Sequence, residues 1–198
     1  MPKMRTVHHG IDLGQYRLVE HKQQYLSFIG RVTPLKGTHI AIDVAQRTGI
    51  PLKIARDVPP FHREYFEKRS NCTLMESSCN TSEANLRAKN ELLGNSMAML
   101  FPIQWNEPFG LVMVEAMACG TPVLARPGGS VPEVVREGVS GHICRSVVQM
   151  SKRARELNFN WVAVRQYVVD NFSIERMARE YARVYEKALQ EARARKVA

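Results

Sequence analysis

The sequence predicts an α/β protein: a doubly wound parallel sheet with helices on both faces, followed by a long C-terminal helix. Two observations carry this. Short apolar runs that end in Gly or Pro, such as Tyr25–Gly30 (YLSFIG) and Met97–Pro102 (MAMLFP), fit strands buried on both faces. Stretches of helical spacing alternate with these runs, an order that yields crossover connections and a parallel sheet. No internal repeat or low-complexity segment interrupts it.

Residues 1–24 form an extended lead-in, with Val7, Ile11 and Leu13 apolar and Gly10 allowing a tight bend. His8 and His9 have no further ligands at a supporting spacing, which favours a hinge or packing role over metal or acid–base chemistry. Residues 25–172 make the main domain. After the first strand, Arg31 and Thr33–Gly37 form a turn, and Thr38 is placed to cap a helix carrying Ile40, Ala41, Val44 and Ala45. Pro51–Ala55 reads as the second strand and Pro60–Lys68 as a helix. Ala84–Ser96 is helical in pattern, with Leu86, Leu92 and Leu93 as apolar contacts, and Met97–Pro102 is the next strand. Thr121–Ala125 is a buried strand and Pro127–Gly129 a turn. Ser130 opens a helix with Pro132 and Glu133 that stops at Gly138. His142–Cys144 is a last short strand, in which a lone His142 is structural. From Val147 the chain is helical, broken near Asn158–Asn160 and Asn171–Ser173. Residues 173–198 form an amphipathic helix. Its stripe of Ile174, Met177, Tyr181, Val184, Tyr185 and Leu189 is expected to pack on the domain, with the basic residues off the stripe.

Function centres on Phe101–Gly129, where Glu107 and Glu115 flank an apolar run that begins at Pro108. Proline suits the first turn of a helix. A helix that starts there leaves the amides of Phe109, Gly110 and Leu111 unpaired, with a partial positive charge that attracts anions. Glu107 then lies on the preceding loop and Glu115 about two turns into the helix. Amides that donate and carboxylates that accept match a ligand with phosphates at one part and hydroxyls at another. Trp105, in the same loop, packs under the glutamates or lines the cleft.

Composition narrows the alternatives. The 198 residues suffice for a packed core, and 44% apolar and 24% charged residues are ordinary globular values. No apolar run reaches the roughly 18 residues of a spanning helix, and the start lacks the apolar stretch of a signal peptide. The four cysteines show no CxxC spacing, which suits a reduced, cytoplasmic protein. The net charge of +9 is spread along the chain: residues 1–100 hold 14 basic and 9 acidic side chains, and residues 101–198 hold 14 and 10. Without a basic block interleaved with aromatics, nucleic acid is not an expected partner. Peripheral membrane contact with an acidic lipid surface stays open.

The run from Glu107 to Glu115, continued by AMACGTPVLA, SVPEVV and GVSGHI and preceded by IGRVTPLKG, resembles the donor-binding C-terminal domain of a family 4 (group 1) retaining glycosyltransferase of GT-B fold. The resemblance covers most of the chain, and VHHGIDLGQY is similar to the segment where that family's chain enters the donor domain. It implies a Rossmann-like half of a GT-B fold and a nucleoside diphosphate sugar donor, a UDP- or GDP-sugar, with no cofactor. The site residues it implies are Gly30, Arg31, Lys36, Gly37, Glu107, Pro108, Phe109, Gly110, Leu111 and Glu115, of which Arg31, Lys36 and Glu107 carry the chemistry. Arg31 and Lys36 would hold the diphosphate, Glu107 the hydroxyls of the transferred sugar and Glu115 those of the ribose. On the residues alone, Arg31 and Lys36 also read as solvated loop charges, and Glu115 as a satisfied helix carboxylate. The chain departs from the family at Arg56, where a Gly is usual, and over Asn71–Ser82, a region that often contacts the base. Asp-x-Asp is absent, which agrees with metal-independent transfer, and neither Walker A nor GxGxxG occurs.

A GT-B enzyme holds its acceptor mostly in an N-terminal domain, so a partner domain is expected in cis or in trans. The chain is then one domain of a longer protein, a shortened gene product, or a subunit that meets a separate acceptor chain. Alone it is expected to transfer little. The alternatives are a nucleotide-sugar-binding module without turnover, and an interaction domain with a basic surface.

Overall fold

The structure, a computed structural model, describes residues 4–55 and 83–197. Arg56, the helix expected at Pro60–Lys68, the stretch Asn71–Ser82 and two of the cysteines, Cys72 and Cys79, lie outside the described residues. Five strands, β1 (Leu26–Ile29), β2 (Leu52–Ala55), β3 (Ala98–Phe101), β4 (Val123–Ala125) and β5 (Gly141–Ile143), form one sheet in the order β2-β1-β3-β4-β5. Every neighbouring pair is parallel. Seven helices accompany them among the described residues: α1 (Thr38–Thr48), α2 (Glu83–Gly94), α3 (Leu111–Ala118), α4 (Val131–Val134), α5 (Val147–Arg155), α6 (Trp161–Phe172) and α7 (Ile174–Val197).

Side chains alternate along a strand, and β3 shows what that does here. Met99 and Phe101 enter one core with Met113, Met117, Val164 and Val168, beneath α3 and α6. Ala98 and Leu100 enter a second core with Phe28, Ala41, Val44, Ile54 and Met150, beneath α1 and α5. Helices thus cover both faces, and every residue of β3 is buried, which is why the run is apolar without alternation. The chain leaves β1 toward β2 on one side, then returns to the other side of β1 as β3. At this reversal α1 and α3 depart to opposite faces, leaving a crevice beyond the carboxyl ends of β1 and β3.

Several local expectations are corrected. Gly37, not Thr38, is the N-cap of α1. Thr38 is the first helical residue, and its buried hydroxyl has no hydrogen-bond partner among the described residues. α3 starts at Leu111, three residues after Pro108, with Gly110 as its N-cap. α4 is one turn long, and Ser130 turns its hydroxyl to the Phe109 carbonyl instead of capping it. Ser146 and Asn160 do cap α5 and α6, accepting from the amides of Gln149 and Ala163.

The lead-in is tied down by Ile11, whose amide donates to Phe172 O and whose carbonyl accepts from Ile174 N. Among the described residues, the contacts that tie α7 to the domain lie in its first turns: the Gly10 amide donates to Met177 Sδ, and Val184 is half-buried. Farther along, Tyr181, Tyr185 and Leu189 are exposed at 41, 64 and 59%, so the stripe is not packed along its length as expected. At 1.5 Å per residue a helix of this length runs about 36 Å, and it outruns the lead-in and the end of α6 that anchor it.

Candidate functional site

The crevice is built from three loops that interlock. In the loop after β1, Gly37 adopts φ 73° and ψ 27°, and a Cβ there would overlap the Pro102 carbonyl at the end of β3. The amide of Gln104 donates to Leu35 O at 2.8 Å and its side chain to Pro34 O at 2.7 Å, joining the loops after β1 and β3. From the loop after β4, Ser130 N donates to Glu107 O at 2.9 Å and its Oγ to Phe109 O at 2.8 Å. Gly129 comes so close to Glu107 O that a Cβ would overlap it. Glu107 is therefore fixed through its backbone before any side-chain contact is counted.

Its carboxylate meets Lys36 from the opposite loop. Lys36 Nζ lies 2.7 Å from Glu107 Oε2, with side-chain exposures of 22 and 12%. The indole N–H of Trp105 donates to the same oxygen at 3.1 Å. The Lys36 ammonium also stands 4.8 Å from the centroid of the Trp105 ring, within range of a cation–π contact. Arg31 is exposed, one residue beyond Gly30 at the end of β1, and makes none of these contacts among the described residues. Both α1 and α3 begin here at a left-handed glycine without a side-chain cap. Their first amides and the positive ends of two helices thus face one crevice. A cation, donor amides and an oriented carboxylate can together hold an anion on one side and a hydroxyl on the other.

Not every expected residue joins this group. Pro108 is exposed and Leu111 is the first helical residue, 48% exposed. Phe109 turns inward, 7% exposed, with its ring edge-on to Phe172 and to His9 at 5.9 and 5.1 Å. The helix starts later than Pro108 suggests because this aromatic packing and the turn at Gly110 take up the intervening residues. His8 joins the same cluster and meets Glu133 at 3.0 Å, so the histidines pack the lead-in against the loop, as expected.

Glu115 sits in separate surroundings. Tyr16 Oη donates to Oε1 at 2.8 Å, and Lys89 Nζ meets the same oxygen at 2.8 Å. Burial first, and the Glu115 charge second, push the Tyr16 phenol up, so it stays protonated and donating. Among the described residues, Glu107 and Glu115 share no hydrogen-bond partner. Tyr16 and Lys89 escaped sequence reasoning, since they lie 99 and 26 residues from Glu115 and carry no motif. Trp105 was visible in the loop, but its hydrogen bond was not.

The model of the family described as glycosyl transferases group 1 matches residues 15–159. Over 111 residues the chain is 33% identical to N-acetyl-alpha-D-glucosaminyl L-malate synthase of Bacillus anthracis, covering 51% of this chain and 29% of the relative. Over 161 residues it is 29% identical to D-inositol 3-phosphate glycosyltransferase of Mycobacterium marinum, covering 70% and 33%. Among solved structures, AviGT4, a glycosyltransferase involved in avilamycin A biosynthesis, superposes with a TM-score of 0.76 at 24% identity over 93% of this chain and 58% of that one. HepE of Anabaena, solved with UDP and glucose, gives 0.73 at 17% identity, covering 90% and 55%. The C-terminal domain of the group 1 protein LpcC from Francisella tularensis gives 0.64 at 17% identity, covering 87% of this chain and 98% of that domain. At such identities the structural likeness establishes the fold. The chain spans about a third of the curated relatives it matches.

Proposed function

The chain belongs to the glycosyl transferases group 1 family, and on that premise we propose that it is the donor-binding half of a retaining, metal-independent glycosyltransferase. It binds a nucleoside diphosphate sugar, a UDP- or GDP-sugar, and the sugar passes to an acceptor held by an N-terminal domain in cis or in trans. One observation carries the reading: Lys36 and Glu107, from the loops after β1 and β3, meet at 2.7 Å where the strand order reverses. A diphosphate needs the cation, a sugar needs the carboxylate, and the two ligand parts are covalently joined.

When the anomeric carbon–oxygen bond breaks, negative charge grows on the leaving diphosphate. Arg31, Lys36 and the first amides of α3 stabilise that charge where it develops. Glu107 accepts hydrogen bonds from the sugar, and Glu115 from the ribose. Retention needs no base in this half, since the leaving phosphate takes the acceptor's proton. Binding of UDP and glucose by HepE, a neighbour in fold, supports a uridine nucleotide. The exposed half of α7 is where we place contact with the acceptor domain. The buried, free thiols of Cys119 and Cys144 suit a reducing compartment, and we place the protein in the cytoplasm.

Calorimetric titration of the chain with UDP, GDP, UDP-glucose and GDP-mannose, with and without EDTA, tests the donor site. Binding that one base favours and EDTA leaves unchanged is expected. No binding at millimolar ligand would overturn the donor role. With an acceptor domain supplied, a product of inverted anomeric configuration would overturn retention.

A further inference from the structure

Both donors on Glu107 fall on Oε2, from Lys36 at 2.7 Å and from Trp105 Nε1 at 3.1 Å. Among the described residues, Oε1 accepts no hydrogen bond. Trp105 is 39% exposed, so its ring is not committed to the core. We propose that Trp105 is a positioning residue for sugar recognition: its indole N–H holds Glu107 so that Oε1 faces the sugar hydroxyls, and its ring seats Lys36 until a diphosphate takes that ammonium. The proposal deepens the donor-site reading above and rests on it.

The contacts that survive ligand binding decide which group goes on holding Glu107. Lys36 reaches Glu107 from the opposite loop, so a diphosphate that captures the ammonium removes one of the two donors on Oε2. Trp105 sits two residues from Glu107 in the same loop, and that loop is pinned on both sides by Gln104 N to Leu35 O and Ser130 N to Glu107 O. Its N–H therefore remains when Lys36 leaves. A carboxylate with one oxygen anchored offers the other in a fixed direction, whereas an unanchored one loses rotamer freedom when the sugar arrives. Glu115 is held in the same manner: Tyr16 and Lys89 both occupy Oε1, and no described residue donates to Oε2. In each case one lysine and one aromatic donor share a single oxygen.

The test uses UDP with UDP-glucose, and GDP with GDP-mannose, titrated into the unaltered chain, Trp105→Phe, Glu107→Ala and the double variant. Trp105→Phe is expected to weaken the sugar nucleotide about tenfold while the free diphosphate changes by less than about twofold. In the Glu107→Ala background the same substitution is expected to add less than about twofold, because it acts through Glu107. Equal weakening of sugar nucleotide and free diphosphate, or effects that multiply in the double variant, would mark a merely structural tryptophan and overturn the role. A second readout leaves Trp105 intact. Trp161→Phe makes it the sole tryptophan of the two, and its emission should shift on saturation with the sugar nucleotide; an unchanged spectrum counts against the role. If neither pair binds the unaltered chain, the donor-site reading fails and this role with it. If a pair binds and Trp105→Phe changes nothing, this role alone fails.

Discussion

Breaking the Lys36–Glu107 pair from its two ends should have opposite effects on the free diphosphate. At 2.7 Å the gross attraction between unit charges is about 6 kcal/mol at an effective dielectric constant of 20. Desolvation of two side chains that are only 22 and 12% exposed cancels much of this. A charge-assisted hydrogen bond then contributes about 1.5–3 kcal/mol net. On the proposed donor role, Lys36→Ala removes the cation that holds the diphosphate, so UDP or GDP should bind about 10- to 150-fold more weakly. Glu107→Gln removes the group that competes for Lys36 and leaves its shape and its Trp105 contact in place. Free diphosphate should therefore bind as tightly as before or severalfold more tightly, while the sugar nucleotide weakens. Isothermal titration of both variants with the diphosphate and its sugar measures all four quantities. If Glu107→Gln weakens the free diphosphate as much as Lys36→Ala does, the two residues do not divide phosphate and sugar between them, and the reasoning is refuted.

Other outcomes follow from the same geometry. Gly37→Ala combines a left-handed residue, worth about 1–2 kcal/mol, with overlap on the Pro102 carbonyl; urea unfolding should show a loss of about 3 kcal/mol or more in all, and a loss below about 1 would contradict the interlocked loops. Burial pushes the thiols of Cys119 and Cys144 up to about 11 each; alkylation at pH 8, mapped by peptide mass, should spare both until the protein is unfolded. The Lys22 ammonium donates to Gly94 O, Cys119 O and Thr121 Oγ1, where two helices end, and burial pushes it down to about 8. The unfolded chain then binds more protons at this site between about pH 8 and 10.4. The cost of burying the charge is complete below that window and is relieved as pH rises through it. The difference in unfolding free energy between the protein and Lys22→Met should thus move in favour of the unaltered protein across the window, by at most about 1.4 kcal/mol per pH unit; a flat difference would contradict it.

The central strands were legible because they bury both faces, and a run such as Ala98–Phe101 cannot alternate when all four side chains are covered. The family resemblance implied that Lys36 and Glu107 serve one site, but their ion pair was not legible, because it depends on the strand order that brings the turns after β1 and β3 together. The start of α3 was misplaced because a local rule met a tertiary contact. Proline at 108 satisfies a rule for first turns, yet the chain spends Phe109 on an aromatic cluster with Phe172 and His9 and turns at Gly110, with φ 77°. Only tertiary contact decides between these. The spacing of the α7 stripe was correct as a helical face, but periodicity says that a face is apolar, not what covers it.

The partners of Glu115 show why a carboxylate's role is hard to read from its motif. Tyr16 arrives from the lead-in and Lys89 from α2, and both crowd one oxygen. Taken alone, that is how a structural carboxylate would be satisfied. The same arrangement surrounds Glu107, which sits in the crevice with a cation that an anionic ligand can draw off. A site whose charges are already paired excludes the cost of an isolated buried ion, and it makes ligand binding an exchange of partners instead of an addition. On the donor role we propose, what Lys36 adds to diphosphate binding is its contact with the phosphate less the contact with Glu107 that it gives up. Under the same proposal, the sugar would add hydrogen bonds to oxygens that are already oriented. On that proposal, selection of the sugar nucleotide over the free diphosphate comes from the glutamates, and what anchors each glutamate sets how much of it is realised.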